Sequence, residues 1–222
     1  MAEYPQRAYG PVAGEGGALL RVLVNLRGCN GAGKSTIPMS MMDDPAMYVH
    51  ELTGSDGKRI SAITVFPTYG WVALGTYFNK TGGMDTLRNN AVTRMTLYAA
   101  LDGFPEYNVL MEGIMASTIR STYIDLFHEV EGYYQDHGEE LKVLIISLLP
   151  PVEVAISRVY SRNGGKPIQE EAVRGKWETV ARNVSAFAEA GFTSVRVDSS
   201  KVPKHNMLKA FMKTVRKHGG VV

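Results

Sequence analysis

A glycine-rich segment near the start of the chain has the residue types needed to bind phosphate. Residues 28–35 read GCNGAGKS and match the pattern GxxxxGK[ST]. They follow an apolar run at residues 21–26 that is typical of a buried strand, and a helical pattern begins near Lys34. Glycines allow backbone N–H groups to approach phosphate oxygens, and the start of a helix adds positive dipole charge. The segment is therefore predicted to bind the phosphates of a nucleoside triphosphate.

The side chains of this segment have separate expected roles. Lys34 is expected to act in catalysis by reaching the β- and γ-phosphates, and the Ser35 hydroxyl is expected to hold Mg²⁺. Cys29, the only cysteine of the chain, is interpreted as a spacer. The residues expected to contact the nucleotide are Gly28, Asn30, Gly31, Ala32, Gly33, Lys34, Ser35 and Thr36.

An acidic residue at the end of a second strand pattern is a candidate metal ligand. Residues 108–113 read NVLMEG, so Glu112 stands at the carboxyl end of the predicted strand. An acid at this edge of a sheet can meet Mg²⁺ or its waters beside the phosphate loop. The alternative is a carboxylate that faces solvent. The apolar residues before Glu112 favour the metal role, so Ser35 and Glu112 form the predicted metal site.

Two arginines late in the chain are candidates for neutralising phosphate charge. Arg158 and Arg162 lie four residues apart, hence on one face of a predicted helix, and Gly164-Gly165 follow them. Residues 158–175 are expected to form a lid that closes over the nucleotide, with both arginines stabilising charge on the transferred phosphoryl group. The competing interpretation is a pair of ordinary solvated arginines.

Asp85 is the candidate general base that would activate an acceptor hydroxyl. Gly82 and Gly83 precede it and permit close approach of a substrate. The alternative is structural, since an Asp before a helical pattern is a good N-cap, worth about 1 kcal/mol. The same region contains four aromatic residues that either stack on a base or belong to a core. They are Phe66, Tyr69, Trp71 and Tyr77.

The elements that must position these residues alternate between strands and helices. This order predicts an α/β fold with a mostly parallel sheet flanked by helices, whose ligands gather at the carboxyl ends of the strands. After the first helix, residues 46–85 are predicted to form a β-rich insertion of three strands with a hairpin turn at Asp56-Gly57. Residues 1–18 are interpreted as a flexible arm, and residues 19–222 as one domain.

Composition excludes several classes of protein. The 222 residues contain 24 Lys and Arg against 22 Asp and Glu, and 45% are hydrophobic, which is typical of a globular protein. One cysteine excludes an intrachain disulfide and a cysteine-rich zinc site, which favours a reducing compartment such as the cytoplasm. No apolar run is long enough to cross a membrane. The final helical pattern, residues 203–217, is basic because it contains four lysines and one arginine but no acidic residue.

Four segments, in order along the chain, resemble small P-loop kinases of the nucleoside-monophosphate-kinase-like group. They are GCNGAGKS, VLMEG, ISLLPPVEVAISRVYSRNGG and VRVDSS. The resemblance covers about residues 20–217. It implies a five-stranded parallel sheet, ATP as the phosphoryl donor, and lid arginines at the ATP phosphates. It also implies that residues 46–85 bind the acceptor, although these residues lack the Asp-Arg signature of the group.

The insertion, together with LGTYFNKTGGMDT and LMEGI, is similar to phage kinases that phosphorylate 5-hydroxymethyluracil in DNA. This similarity implies transfer of the γ-phosphoryl group of ATP to a nucleic-acid acceptor in the host cytoplasm. The insertion and the basic C-terminal helix would then accept DNA and a flipped base. Three alternatives stay open: a free nucleoside or nucleotide kinase, a kinase-like toxin or small-metabolite phosphotransferase, and a nucleotide-binding module without chemistry.

Overall fold

The structure, a computed structural model, describes residues 21–78 and 82–219, so the arm expected at residues 1–18 lies outside it. The strands are β1 (Arg21–Arg27), β2 (Tyr48–Thr53), β3 (Arg59–Phe66), β4 (Trp71–Leu74), β5 (Asn108–Glu112), β6 (Leu141–Leu148) and β7 (Thr193–Val197). The α-helices are α1 (Thr36–Met39), α2 (Asn90–Gly103), α3 (Ile114–Thr118), α4 (Ser121–Asp136), α5 (Val152–Arg162), α6 (Glu170–Glu189) and α7 (Met207–Gly219). Within the described residues, no helix combines the length and the apolar character that a bilayer crossing requires.

The strands form one mixed sheet in the order β2-β3-β4-β5-β1-β6-β7. The five strands from β4 to β7 in this order are mutually parallel, whereas β2 and β3 are antiparallel to their neighbours. The prediction of a five-stranded sheet is therefore wrong in strand number. Two antiparallel strands extend the parallel part, because β3 pairs with the side of β4 that would otherwise be an open edge.

The strands predicted between residues 46 and 77 are present, but they do not form a separate insertion. β4 pairs in parallel with β5 through Trp71 opposite Asn108 and Val72 opposite Val109. β3 is buried over most of its length, as a strand inside a sheet must be when helices cover its faces. Residues 46–85 are therefore part of the central sheet and of the layer that it supports.

Helices cover both faces of the sheet and enclose two apolar layers. Alternate residues of β1 point to opposite sides: Leu23 packs on the side of α2 and α4, and Val22 and Val24 on the side of α1, α5 and α7. Phe127 of α4 belongs to the first layer and Phe211 of α7 to the second, and both are almost fully buried. The edge of the sheet between these layers, where β1 and β5 end, stays free to carry polar residues.

The helix after the glycine-rich segment is only one turn long. α1 ends at Met39, and turns continue to Asp43. The Asp44 carboxylate accepts hydrogen bonds from the backbone N–H groups of Ala46 and Thr68 and from the Thr68 hydroxyl. These bonds offer the backbone an alternative to the helix, and Pro45 disfavours helical geometry at the residue before it.

Candidate active site

The glycine-rich segment forms a tight loop between β1 and α1. The N–H of Ala32 donates to the carbonyl of Cys29 at 3.2 Å. Gly31 has a φ of 79°, and a Cβ atom there would lie 2.2 Å from the carbonyl oxygen of Ala155 in α5. Only glycine fits this position, since both the backbone conformation and the contact exclude a side chain. The loop is therefore packed directly on α5.

Lys34 is bound by the loop itself. Its Nζ atom donates to the carbonyl of Gly28 at 2.8 Å and to that of Cys29 at 3.3 Å, and the residue is only 5% exposed. Burial lowers the pKa of Lys34, while the negative charges of Glu112 and Asp85 oppose this shift. The ammonium group thus lies inside the loop, among the backbone groups expected to bind phosphate, and close to two carboxylates.

Glu112 stands beside the loop, as expected for a strand-end acid. The parallel register of β1 and β5 places it opposite Leu26, two residues before the loop begins. The Ser35 hydroxyl donates to Oε1 of Glu112 at 3.1 Å, whereas Oε2 is buried without a hydrogen-bond partner. Burial raises the pKa of Glu112 to about 7, although the Lys34 charge and the Ser35 hydrogen bond oppose the shift. The alternative of a solvent-facing carboxylate is wrong, because Glu112 is 1% exposed.

Asp85 also reaches this edge of the sheet. It lies in a short 3₁₀ turn, and its Oδ1 accepts a hydrogen bond of 2.8 Å from the backbone N–H of Ile114, two residues after Glu112. The following helix, α2, begins only at Asn90, and Asn89 caps it by accepting from the N–H of Val92. The alternative that Asp85 caps the helix after it in sequence is therefore wrong.

Tyr77, three residues after the end of β4, lies close to both carboxylates. Its hydroxyl is buried and has no hydrogen-bond partner. Burial raises its pKa well above the ordinary value, and the charges of Glu112 and Asp85 add to the shift. Gly83 has a φ of 63°, and a Cβ there would lie 2.7 Å from Oε2 of Glu112 and 2.9 Å from the Tyr77 hydroxyl. Both unpaired polar atoms therefore border the same glycine.

Base stacking on Phe66 and Trp71 is not compatible with their positions. Phe66 and Trp71 are buried in the core, and the Trp71 ring packs 5.2 Å from that of Phe211. The Tyr69 hydroxyl donates to Asp43 at 3.3 Å on the surface. Phe78, which follows Tyr77, is 63% exposed and is the aromatic side chain of this segment that a base could reach.

The two predicted lid arginines have different surroundings. Arg158 is bound to the protein, because its guanidinium donates to the carbonyl of Gly31 at 3.3 Å and to that of Ser199 at 3.1 Å. Arg162, at the end of α5, is exposed, and it lies close enough to Lys34 that its charge helps to lower the Lys34 pKa. Arg158 therefore positions the loop, and Arg162 is free to meet a ligand.

Sequence reasoning missed two residues that support the loop. The Ser199 hydroxyl donates to the carbonyl of Ala32 at 2.7 Å and accepts from Arg158. Arg27 is fully buried below the loop, where its guanidinium donates to the carbonyl of Ser117 and lies 4.5 Å above the ring of Phe187. Burial lowers the pKa of Arg27 to about 9. A charged residue at the end of a buried strand, directly before the glycine-rich loop, was the signal that could have drawn attention to Arg27.

The arrangement suits a magnesium ion held jointly by the protein and by phosphate oxygens. Within residues 21–78 and 82–219, no group of three or more His, Cys, Asp and Glu side chains has the placement of a metal site. Ser35 and Glu112 nevertheless offer a hydroxyl and an unpartnered carboxylate oxygen at one point. Mg²⁺ prefers oxygen ligands and usually keeps few protein ligands in phosphate sites. The oxygen donors present therefore fit this ion.

Comparison with known proteins gives one family and several relatives. The family model described as 5-hmdU DNA kinase matches residues 13–203. The "5-hmdU DNA kinase" of Bacillus phage SP10 is 42% identical over 198 residues, which are 88% of this chain. The chain spans only 30% of the length of that relative.

Two further phage proteins match a larger share of their own length. "5-hmdU DNA kinase 1" of Salmonella phage ViI is 36% identical over 71% of this chain and 67% of its own. The "5-hmdU DNA kinase" of Pseudomonas phage M6 is 33% identical over 72% of this chain and 81% of its own. The region matched by the family model contains the glycine-rich loop, the acid at the end of β5 and the segment between them. By these matches, the chain belongs to the 5-hmdU DNA kinase family.

Proposed function

We propose that the protein is a P-loop kinase that transfers the γ-phosphoryl group of ATP to the hydroxymethyl group of 5-hydroxymethyluracil in DNA. The observation that carries this proposal is the meeting of Ser35 with Glu112, 3.1 Å apart, beside the loop that buries Lys34. The names of the family and of its phage members support the choice of acceptor. Because the chain spans less than a third of one of these relatives, this activity is assigned to the matched region.

The donor side of the proposed site binds ATP through the loop. Its N–H groups bind the phosphates, together with Lys34 after this side chain leaves the carbonyl of Gly28. Ser35 of the donor side and Glu112 of the acceptor side would together hold Mg²⁺, which neutralises charge on the β- and γ-phosphates when bound. Arg162 stabilises the charge on the transferred group as residues 158–175 close over the nucleotide. The proposed nucleotide contacts are Gly28, Asn30, Gly31, Ala32, Gly33, Lys34, Ser35 and Thr36.

The acceptor side activates a hydroxyl group. Asp85 takes the proton of the acceptor hydroxyl while its oxygen forms a bond to the γ-phosphorus and the bond to the β-phosphate oxygen breaks. The products are ADP and a phosphorylated base. The hydrogen bond from the N–H of Ile114 fixes one Asp85 oxygen and orients the carboxylate.

Nucleic acid would approach along basic parts of the surface. The polar face of α7 contains Lys209, Lys213 and Lys217, and the opposite face packs on the sheet through Phe211 and Val215. We assign this face a secondary contact with DNA phosphates. The protein would act in the cytoplasm of the phage host.

The proposal is tested by following the label from γ-labelled ATP with Mg²⁺. The acceptor panel contains deoxynucleotides, nucleosides, 5′-hydroxyl oligonucleotides and duplex DNA with 5-hydroxymethyluracil. Label on the modified duplex is expected. Label on free nucleosides or nucleotides alone would make the protein an enzyme of nucleotide metabolism, and label on no member would overturn the proposal.

The role of Asp85 is tested by Asp85→Asn, with Asp56→Asn in the β2–β3 turn as the matched control. Both aspartates accept a backbone hydrogen bond, from Ile114 and from Lys58. We expect Asp85→Asn to lower turnover by about 100-fold with ATP affinity retained, as removal of a general base does. Unchanged turnover, or an equal decrease in Asp56→Asn, would show that Asp85 is not the base.

A further inference from the structure

A polar groove lies next to the acceptor side of the site and has no role in the chemistry described so far. It encloses about 100 Å³. Its walls come from the beginning of β3 and from the segments before Tyr77 and after Asp85. The polar side chains that line it, here called the arginine groove, are Arg59, Ser61, Thr76, Thr86 and Arg88.

The topology of the sheet places the arginine groove at the reactive edge. Because β3 is antiparallel to β4, the beginning of β3 lies where β4 ends, and the N–H of Gly75 donates to the carbonyl of Ala62. The N–H of Gly83 in turn donates to the carbonyl of Thr76 at 2.9 Å. The groove is therefore continuous through the backbone with Tyr77 and Asp85.

The charges of the groove are available to a ligand. Arg88 is exposed and forms no ion pair within the described part of the chain. Arg59 pairs with Glu51 at 3.1 Å, but both side chains are more than half exposed. An exposed pair of this kind contributes little stability and exchanges readily for a stronger partner. Two exposed guanidinium groups that line one groove form a surface that suits phosphate oxygens.

We propose that the arginine groove binds the phosphodiester backbone of the acceptor strand beside the target nucleotide. This inference rests on the proposed function and names the contact that distinguishes a polymer from a free nucleoside. An enzyme that acts on a base inside a duplex must rotate the nucleotide out of the stack, and the backbone next to it must then be held. Backbone contacts fix the position of the strand without reading its sequence.

The geometry gives the two arginines a positioning role. Thr76 lines the groove and accepts a hydrogen bond from Gly83, which borders the unpaired Tyr77 hydroxyl and Glu112 oxygen. A strand bound at Arg59 and Arg88 would therefore lie beside the acceptor side of the site. A free nucleoside lacks this backbone and gains nothing from the groove. The arginine groove is therefore expected to determine the preference for DNA over the free nucleoside.

The test compares Arg59→Ala/Arg88→Ala with Arg196→Ala. Arg196 is an exposed arginine on β7, at the opposite edge of the sheet, and serves as the matched control. The probes are a fluorescent duplex with one 5-hydroxymethyluracil, for anisotropy at several salt concentrations, and the free nucleoside, for label transfer. Melting temperatures check folding, and Arg88→Ala alone replaces the double variant if that variant does not fold.

We expect the double variant to bind the duplex at least about tenfold more weakly. The slope of its affinity against salt concentration should be smaller by about two, because each of the two arginines neutralises about one phosphate. The ratio of duplex to nucleoside phosphorylation should fall by a similar factor as the affinity. Arg59→Lys/Arg88→Lys should restore part of the salt slope because it keeps both charges. Arg196→Ala should change none of these quantities.

The outcomes distinguish a failure of the groove assignment from a failure of the proposed phosphoryl transfer. If the unaltered protein phosphorylates the duplex and the double variant does so with the same duplex affinity, or Arg196→Ala weakens binding equally, the groove assignment is overturned and the proposed function stands. If the protein binds the duplex through these arginines but transfers no label, the proposed function is overturned and the groove assignment stands. Absence of any duplex binding overturns both.

Discussion

The two sides of the active site differ in how their polar groups are paired. On the donor side, Lys34 bonds the carbonyls of its own loop, and Ser199 and Arg158 bond the carbonyls of Ala32 and Gly31. On the acceptor side, the Tyr77 hydroxyl and one oxygen of Glu112 are buried without a partner. Buried polar groups in folded proteins are nearly always paired, so these two atoms mark where a ligand or an ordered water would supply the missing partner.

This difference indicates which side of the site lowers the stability of the fold in favour of function. A buried polar group without a partner costs about 1–3 kcal/mol. The acceptor side carries this cost at the Tyr77 hydroxyl and at Glu112 Oε2, whereas on the donor side it falls on Arg27 Nε below the loop and not on the groups expected to contact ATP. Such a cost is tolerated where a metal ion or a substrate later supplies the missing partner. The paired groups of the donor side carry no such cost, so this side is expected to keep its geometry without ATP.

The largest expected effect is on the donor side. Lys34→Ala should lower phosphoryl transfer by at least about 100-fold, because it removes a cation that faces the charge developing in the transition state. Label transfer from γ-labelled ATP measures the decrease, and Lys58→Ala, in an exposed turn, is the matched control. Wild-type activity in Lys34→Ala would end the assignment of the loop.

The pH dependence of stability tests the acceptor side. Glu112 has a pKa of about 7 in the folded protein against 4.5 ordinarily, so folding favours its protonated form. This contribution is fully present below pH 4.5 and is lost as pH rises through 7, a decrease on the order of 3 kcal/mol. Denaturant titrations over this range should show the decrease in the protein without metal and not in Glu112→Gln. An equal decrease in both would mean that Glu112 is not the group responsible.

Replacing either of two glycines by alanine should mainly affect one side of the site. Gly31→Ala and Gly83→Ala are each expected to destabilise the fold by about 2 kcal/mol or more, since a contact below 3 Å adds to the cost of a positive φ. Gly31→Ala should mainly weaken ATP binding, whereas Gly83→Ala should mainly lower acceptor turnover. Gly57→Ala has the same positive φ in open space and should cost only about 1 kcal/mol. If both variants change ATP affinity alike, the two sides are not independent.

The smallest expected effect is the difference in stability between removing a paired hydroxyl and removing an unpaired one. Ser199→Ala should cost about 1 kcal/mol of unfolding free energy, because it leaves the carbonyl of Ala32 and the Arg158 guanidinium short of a partner. Tyr77→Phe should leave stability unchanged or raise it slightly, since it removes a hydroxyl that has no partner. Its acceptor turnover should fall all the same. Thermal unfolding and label transfer measure both, and a destabilisation in Tyr77→Phe equal to that in Ser199→Ala would remove the contrast.

Short-range features of the site could be predicted from the sequence. The glycine-rich loop has its geometry encoded in eight consecutive residues, and Glu112 could be placed because the end of an apolar parallel strand is a defined location. The glycines before Asp85 draw attention to it, but its partner is the N–H of Ile114, 29 residues away, and not the next helix.

Long-range features could not be predicted in this way. Ser199 reaches Ala32 across 167 residues, and no local pattern reports such a contact. Among residues 21–78 and 82–219 the sheet has seven strands and not five, because strand pairing is decided by edges that meet in space. The sequence presents Tyr77 only as an aromatic ring, because the position of its hydroxyl depends on how β4 lies beside β5.

The position of Cys29 has a practical consequence. This thiol is the only one in this chain, lies within the phosphate loop and is 1% exposed, and burial raises its pKa. A thiolate is the reactive form, so an alkylating reagent can modify the protein only when the loop opens. The rate of alkylation therefore reports how often the loop opens. A nucleotide that holds the loop closed will be detected because it protects Cys29 from alkylation.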